Sequence, residues 1–172
     1  MSSLPSSVVK TSAIVISVGL DSNANHLASS ITESAGLRFR HYMSMERFLE
    51  AANQNHVGCI LIQCPEDISQ ASIVLQRVTS AFAQMPVVLI LKTCRTACAV
   101  ELMRNGAFSI VEYPIEHDAL QEIMHEACRL SAEEQSVCEE SNNARLRMQE
   151  ATDKELEVLD LLHRDVVHHL VL

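Results

Sequence analysis

Apolar residues fall in short runs separated by helical stripes. Ala13-Ile14-Val15-Ile16-Ser17-Val18 predicts a first strand. Asp21-Ser22-Asn23 is a helix-start signature. The helix it opens carries Leu27, Ala28, Ile31 and Ala35 on one face and stops at Gly36. Leu37 to Tyr42 alternates Leu37/Phe39/His41 against Arg38/Arg40/Tyr42, the pattern of an edge strand with one wetter face. Ser44 caps a second helix with Phe48, Leu49 and Ala52 inward; Arg47 at the third following position leaves the capping box incomplete. Gly58-Cys59-Ile60-Leu61-Ile62-Gln63-Cys64-Pro65 is apolar on both faces until Gln63. Such a strand belongs in the middle of a parallel sheet with helices on both sides. Ser69 begins a helix carrying Ile73, Val74, Val78 and Phe82, and Pro86 to Leu91 is a further apolar strand. Thr96 begins a helix with Ala99, Val100, Leu102 and Met103, closed by Asn105-Gly106. Phe108 to Val111 is a short last strand, and Tyr113-Pro114 at its end is a candidate cis bond. From Glu116 a helix carries Leu120, Ile123, Met124, Ala127 and Leu130.

Strands and helices thus alternate five times. Because crossovers in parallel sheets are right-handed, this pattern predicts a three-layer, doubly wound α/β sandwich. In such folds the chemistry lies just past the carboxyl ends of the strands, where Gln63 stands. No Gly-x-Gly-x-x-Gly follows the first strand and no Gly-x-x-x-x-Gly-Lys occurs, which disfavours nucleotide binding.

Composition narrows the class. The 172 residues are 48% hydrophobic and 20% charged, as expected of a soluble globular chain with one domain and an appendage. A net charge of −9 argues against unaided nucleic-acid binding. No apolar run reaches the length of a membrane span, so no membrane association is expected. Residues 1–11 are Ser-rich, lack the order of a signal peptide and are expected to be a disordered lead-in to a cytoplasmic protein. The six cysteines include no C-x-x-C pair and are expected to be reduced and mostly buried.

Several local patterns together resemble the receiver domain of bacterial response regulators, of the FixJ/LuxR-type lineage. They are Ser34-Ala35-Gly36, Phe48-Leu49, Pro86 opening the fourth strand, the fourth-helix segment Ala99 to Ala107, and Glu112-Tyr113-Pro114 where that family has an acidic-Lys-Pro turn. The resemblance covers roughly residues 12–130. It implies the CheY-like fold, a five-stranded parallel sheet ordered 2-1-3-4-5. It also implies a phosphorylation pocket, and there the residues depart from the pattern. The family's Mg²⁺-binding acids fall on Gly19 and Leu20, with only the neighbouring Asp21 acidic; the phospho-acceptor Asp falls on Gln63. The Ser/Thr switch position falls on Leu91, the aromatic switch position on Ile110, and the Lys on Tyr113.

Each departure removes a chemical function. A Gln63 amide cannot replace a carboxylate nucleophile. Gly19 and Leu20 offer no oxygen side chain to Mg²⁺. Tyr113 places no ammonium beside a phosphoryl group. Asp21, Glu66, Asp67, Lys92 and Thr93 could partly compensate, though solvated loop side chains are the simpler reading. Cys64 and Cys94 could form a redox pair across neighbouring strand ends, against the simpler reading of two small semi-buried side chains. His163, His168 and His169 do not match helical i,i+4 ligand spacing. No metal or other cofactor is expected.

Residues 131–150 are polar and acidic and predict an exposed helical linker. Leu130 and Val137 are one heptad apart but position 144 is Ala, which supports a coiled coil only weakly. Residues 151–162 are similar to the first helix of a LuxR-type helix-turn-helix, with Thr152 as its N-cap. That implies 151–172 is an incomplete fragment without a recognition helix, so no DNA binding is expected from this chain alone.

Three functions follow as expectations. The first is a response-regulator-like, phosphorylation-independent module that binds a protein partner or a second copy. Its face would be the fourth helix, fifth strand and fifth helix, through Ala99, Leu102, Met103, Ile110, Leu120 and Ile123, held in one state by Leu91 and Ile110. The second is a redox or small-molecule sensor using the altered pocket. The third is a truncated DNA-binding transcriptional regulator. An enzyme is not expected, because no nucleophile-base pair, metal cluster or phosphate loop is present.

Overall fold

A computed structural model describes residues 13–51, 57–65 and 67–170, with side chains as far as Val158. The expected lead-in 1–11, Ala52, Glu66 and the side chains of Leu162, His163, His168 and His169 lie outside the described residues, as does the remaining apolar tail. Ten elements alternate: β1 (Ile14–Val18), α1 (Ser22–Ser34), β2 (Arg38–Tyr42), α2 (Met45–Ala51), β3 (Gly58–Gln63), α3 (Ile68–Ala81), β4 (Val87–Leu91), α4 (Thr96–Arg104), β5 (Ser109–Glu112) and α5 (His117–Leu170). The strands form one sheet ordered β2-β1-β3-β4-β5, with every neighbouring pair parallel. This is the doubly wound CheY-like fold, order 2-1-3-4-5, with a C-terminal helix.

The period-two pleat divides the core. Ile14, Ile16, Val18, Ile60, Ile62, Val87, Leu89 and Leu91 face one side, against Phe48, Leu75, Val78 and Leu102 of α2, α3 and α4. Val15, Cys59, Leu61, Val88 and Ile90 face the other, against Ala24, Ala28 and Ile31 of α1 and Leu120, Met124 and Ala127 of α5. Phe48 anchors the first core, stacked at a tilt on Phe82 with ring centroids 4.8 Å apart. The strands are apolar on both faces because both faces are covered.

Helix starts follow local chemistry. Asp21 caps α1 by accepting from the Ala24 N–H. Asp67 caps α3 by accepting from the Ser69 N–H, so the helix begins at Ile68, one residue ahead of the start expected at Ser69. Ser44 Oγ accepts from the Arg47 N–H at the start of α2. The Tyr113-Pro114 bond is cis.

Two residues fix where β3 begins. Gly58 has φ 147°, and a Cβ there would lie 1.8 Å from the Ile14 carbonyl oxygen. One rung further on, Ile60 N–H donates directly to Pro86 O. At Gly58 the equivalent rung is split: its N–H donates to Ser131 Oγ at 3.1 Å, and that hydroxyl donates to Gln84 O at 2.8 Å. The α5 side chain thereby completes the β3–β4 ladder where the two chains diverge. Ser131 is buried, so the domain extends past the boundary expected at Leu130.

The chain divides into compact units Met1–Gln135 and Ser136–Leu172. In the second unit Thr152 Oγ donates to the Met148 carbonyl within a continuous helix. It is therefore not an N-cap, which corrects the sequence expectation: with no Pro or Gly from Ser131 to Leu170, nothing interrupts the helix there. Among the described residues, no helix is long and apolar enough to cross a membrane.

Gly58→Ala is expected to destabilise the fold by on the order of 3 kcal/mol or more, through the carbonyl clash and the positive φ. Ser131→Ala is expected to cost about 1–3 kcal/mol by leaving the Gly58 N–H and Gln84 carbonyl unbridged. Urea denaturation with unchanged m-values checks both; a Ser131→Ala midpoint equal to that of the unaltered chain would refute the rung.

Candidate functional site

Because the sheet is parallel, β1, β3, β4 and β5 all end along one edge, at Val18, Gln63, Leu91 and Glu112. Gly19, at φ 65°, turns the chain out of β1 while its N–H donates to the Tyr42 carbonyl. Leu20 is buried among α1 and α5 core residues, so its side chain belongs to the core. The chain then reaches Asp21, where three hydrogen bonds converge. The Asp21 N–H donates to Gln63 Oε1 at 2.7 Å, Asp21 Oδ1 accepts from the Ala24 N–H at 2.9 Å, and Tyr113 Oη donates to Asp21 Oδ2 at 2.6 Å.

These bonds account for the chemistry of the edge. Asp21 is held below the ordinary carboxylate value of 3.8, first by the Ala24 N–H, then by the Tyr113 hydroxyl, with Lys92 adding a distant positive charge. The Tyr113 hydroxyl is pushed well above its ordinary value by burial and by the Asp21 carboxylate that accepts its hydrogen bond. The sole carboxylate at the end of β1 is thus shared between a helix N-terminus and a phenol. The Gln63 oxygen faces a backbone N–H.

The compensating groups are similarly placed. Asp67 is the α3 cap, and Lys92 and Thr93 are exposed. Among the described residues, no group of three or more His, Cys, Asp or Glu could hold a metal ion. Leu91 is buried and Ile110 half-buried in the same core. Cys64 is buried and its thiol is pushed up to about 12 by burial, so it stays protonated. Cys94 is half-buried and raised by burial, then by Glu112 and Cys98. It lines a cleft of about 490 Å³ in company with Cys98, not with Cys64.

The expected interface divides in two. Met103 is 47% exposed, and Ala99, Ile110 and Ile123 are half-buried at the surface of α4, β5 and α5. Leu102 and Leu120 are 1% and 0% exposed, which corrects their assignment to the face. They lie on the inward stripes of their helices and belong to the two cores. Val100, 48% exposed on α4, joins the face instead.

Sequence reasoning did not find the Tyr113–Asp21 bond, although Tyr replacing Lys beside a lone Asp was a usable signal. It also did not find Ser17, fully buried, whose Oγ donates to Asn25 Oδ1 at 2.8 Å and lies 2.8 Å from His41 Nδ1. A single Ser in an apolar strand was the only trace of that network.

No protein-family model matches the sequence, and no curated protein matches it. Its structure is similar to that of several response regulators. It superposes on the response regulator StyR with TM-score 0.67 and 20% identity, covering 77% of this chain and 67% of that one. A response regulator receiver protein from Pseudoalteromonas atlantica gives 0.58 and 18%, covering 67% and 97%. Full-length FixJ from B. japonicum gives 0.58 and 22%, covering 69% and 59%. At these identities the likeness shows the receiver fold.

Tyr113→Phe is expected to raise the Asp21 pKa without returning it fully to 3.8, since the Ala24 N–H remains. A depressed carboxylate stabilises the fold above its unfolded pKa and loses that contribution as pH falls through its folded pKa. The stability difference between the two proteins should therefore be present above 3.8, the ordinary carboxylate value, and shrink as pH falls through the lowered folded pKa of Asp21. Carboxyl NMR titration checks this; an Asp21 titration unmoved by the substitution would refute the bond.

Proposed function

We propose that this chain is a response-regulator-like signalling protein whose receiver domain works without phosphorylation. In this reading it binds a protein partner or a second copy of itself through the face formed by α4, β5 and α5. The observation that carries it is the closed hydrogen-bond chain Gln63–Asp21–Tyr113, which engages the groups at the strand ends without an ion. An acyl phosphate needs a carboxylate at Gln63, and a phosphoryl-bound Mg²⁺ needs free oxygens near Asp21. Gln63 is an amide, and each Asp21 carboxylate oxygen already accepts a hydrogen bond. Leu91 and Ile110, both in the apolar core, give the edge nothing that a phosphoryl group could reorganise, so the face stays in one state.

The face has the character an interface needs. Val100 and Met103 are one helical turn apart and about half exposed, with half-buried Ala99, Ile110 and Ile123 on the same three elements. A transcription-regulating, LuxR-type lineage and a cytoplasmic location accord with this role. An enzyme does not, since among the described residues of the edge no nucleophile has a base beside it.

Replacing Val100 and Met103 together by Glu should leave folding intact, because both side chains are half in water. It should weaken self-association or partner binding by about tenfold or more, the effect of losing central anchor residues. Sedimentation of the full chain with and without the changes tests the homodimer. Association unchanged by the double substitution would rule the face out.

A further inference from the structure

The cleft beside the closed edge carries a separate chemistry. Cys94 immediately precedes Arg95, the N-cap of α4, and Cys98 lies in the first turn of that helix. Both thiols are free, half-buried and on the wall of the same cleft of about 490 Å³. Leu91 and Leu102 form part of its apolar floor, and Thr93 and Arg95 bring the polar groups. Among the described residues that line it there is no carboxylate. The Cys94 thiol makes only a long contact, 3.5 Å, to the Arg95 carbonyl. Cys98 lines the same cleft four positions along the chain.

We propose that Cys94 and Cys98 form a dithiol site for a soft, thiophilic centre, either a trivalent arsenical or a two-coordinate soft metal ion such as Cu(I). Two sulfurs four positions apart can close on one such atom. An apolar floor admits an organic substituent, and soft thiolate ligands select these centres over hard cations. With phenylarsine oxide both S–H bonds break and two As–S bonds form. The arsenic oxygen leaves as water, and arsenic stays trivalent. With Cu(I) two protons are released and the metal stays monovalent. The proposal does not depend on how the receiver edge is regulated.

The other cysteines provide internal controls. Cys59 and Cys128 are 3.9 Å apart but sealed in the core, Cys64 is buried, and Cys138 pairs only with Asn142. The full chain, treated with phenylarsine oxide under native conditions, should take up one arsenical by intact mass. Peptide mapping should place it on Cys94 and Cys98, with both protected from N-ethylmaleimide. Cys94→Ser and Cys98→Ser should each weaken retention about 10²-fold, the loss of an intramolecular second bond, while Cys138→Ser changes nothing. Unshifted melting temperatures establish that the variants fold. Cu(I) held by the unaltered chain against a competing chelator, and lost from Cys94→Ser, assigns the site to a soft ion. Arsenical uptake without Cu(I) retention assigns it to the trivalent centre. No adduct, an adduct that survives either single substitution, or one mapped to Cys59 and Cys128 would overturn the proposal.

Discussion

The hydrogen bond from Tyr113 to Asp21, 2.6 Å long, spans the carboxyl edge of the sheet from the end of β5 to the end of β1. β3 and β4 lie between them, so this single contact reaches across the ends of two intervening strands. Its carboxylate also caps α1, and the N–H of the same residue holds the Gln63 side chain. Asp21 is therefore a junction of two strand-to-helix turns and a strand end. In an open parallel sheet that edge is where ligands bind. Here Asp21 ties the Gln63 and Tyr113 side chains together.

The geometry that makes the junction possible depends on the sheet beneath it. β3 lies against β1 so closely at Gly58 that no Cβ fits, and Ser131 supplies the rung at which β3 and β4 part. Both features set the register of β3, and hence the height at which Gln63 emerges opposite Ile90. A one-residue slip would turn Gln63 into a helix-covered core and expose Ile62. Sequence reaches function here through backbone spacing first and side-chain chemistry second.

Most of the fold was legible because period-two runs and helical stripes alternate without interruption from Ala13 to Leu130. The strand order followed from the resemblance of segments such as Ala99 to Ala107, not from the runs alone. The candidate site was legible by what it lacked: Gln63, Gly19 and Leu20 announce missing carboxylates. What replaced them was not legible. The Tyr113–Asp21 and Ser17–Asn25 contacts join residues 92 and 8 positions apart through side-chain geometry that periodicity does not encode. Leu102 and Leu120 were misplaced on the face because a helical stripe shows which residues are apolar, and burial decides which side they take. Thr152 was expected to be a cap because residues 151–162 resemble the first helix of a helix-turn-helix, and only the continuous helix shows otherwise.

The bonds that tie Gln63 and Tyr113 to Asp21 underlie the proposed phosphorylation-independent role. Titrating the full chain with beryllofluoride and Mg²⁺, while following the amide signals of Asp21, Gln63, Leu91 and Tyr113 by NMR, measures this directly. The structure predicts no saturable shift at any of the four. Stoichiometric, saturable shifts at Gln63 and Leu91 would contradict it.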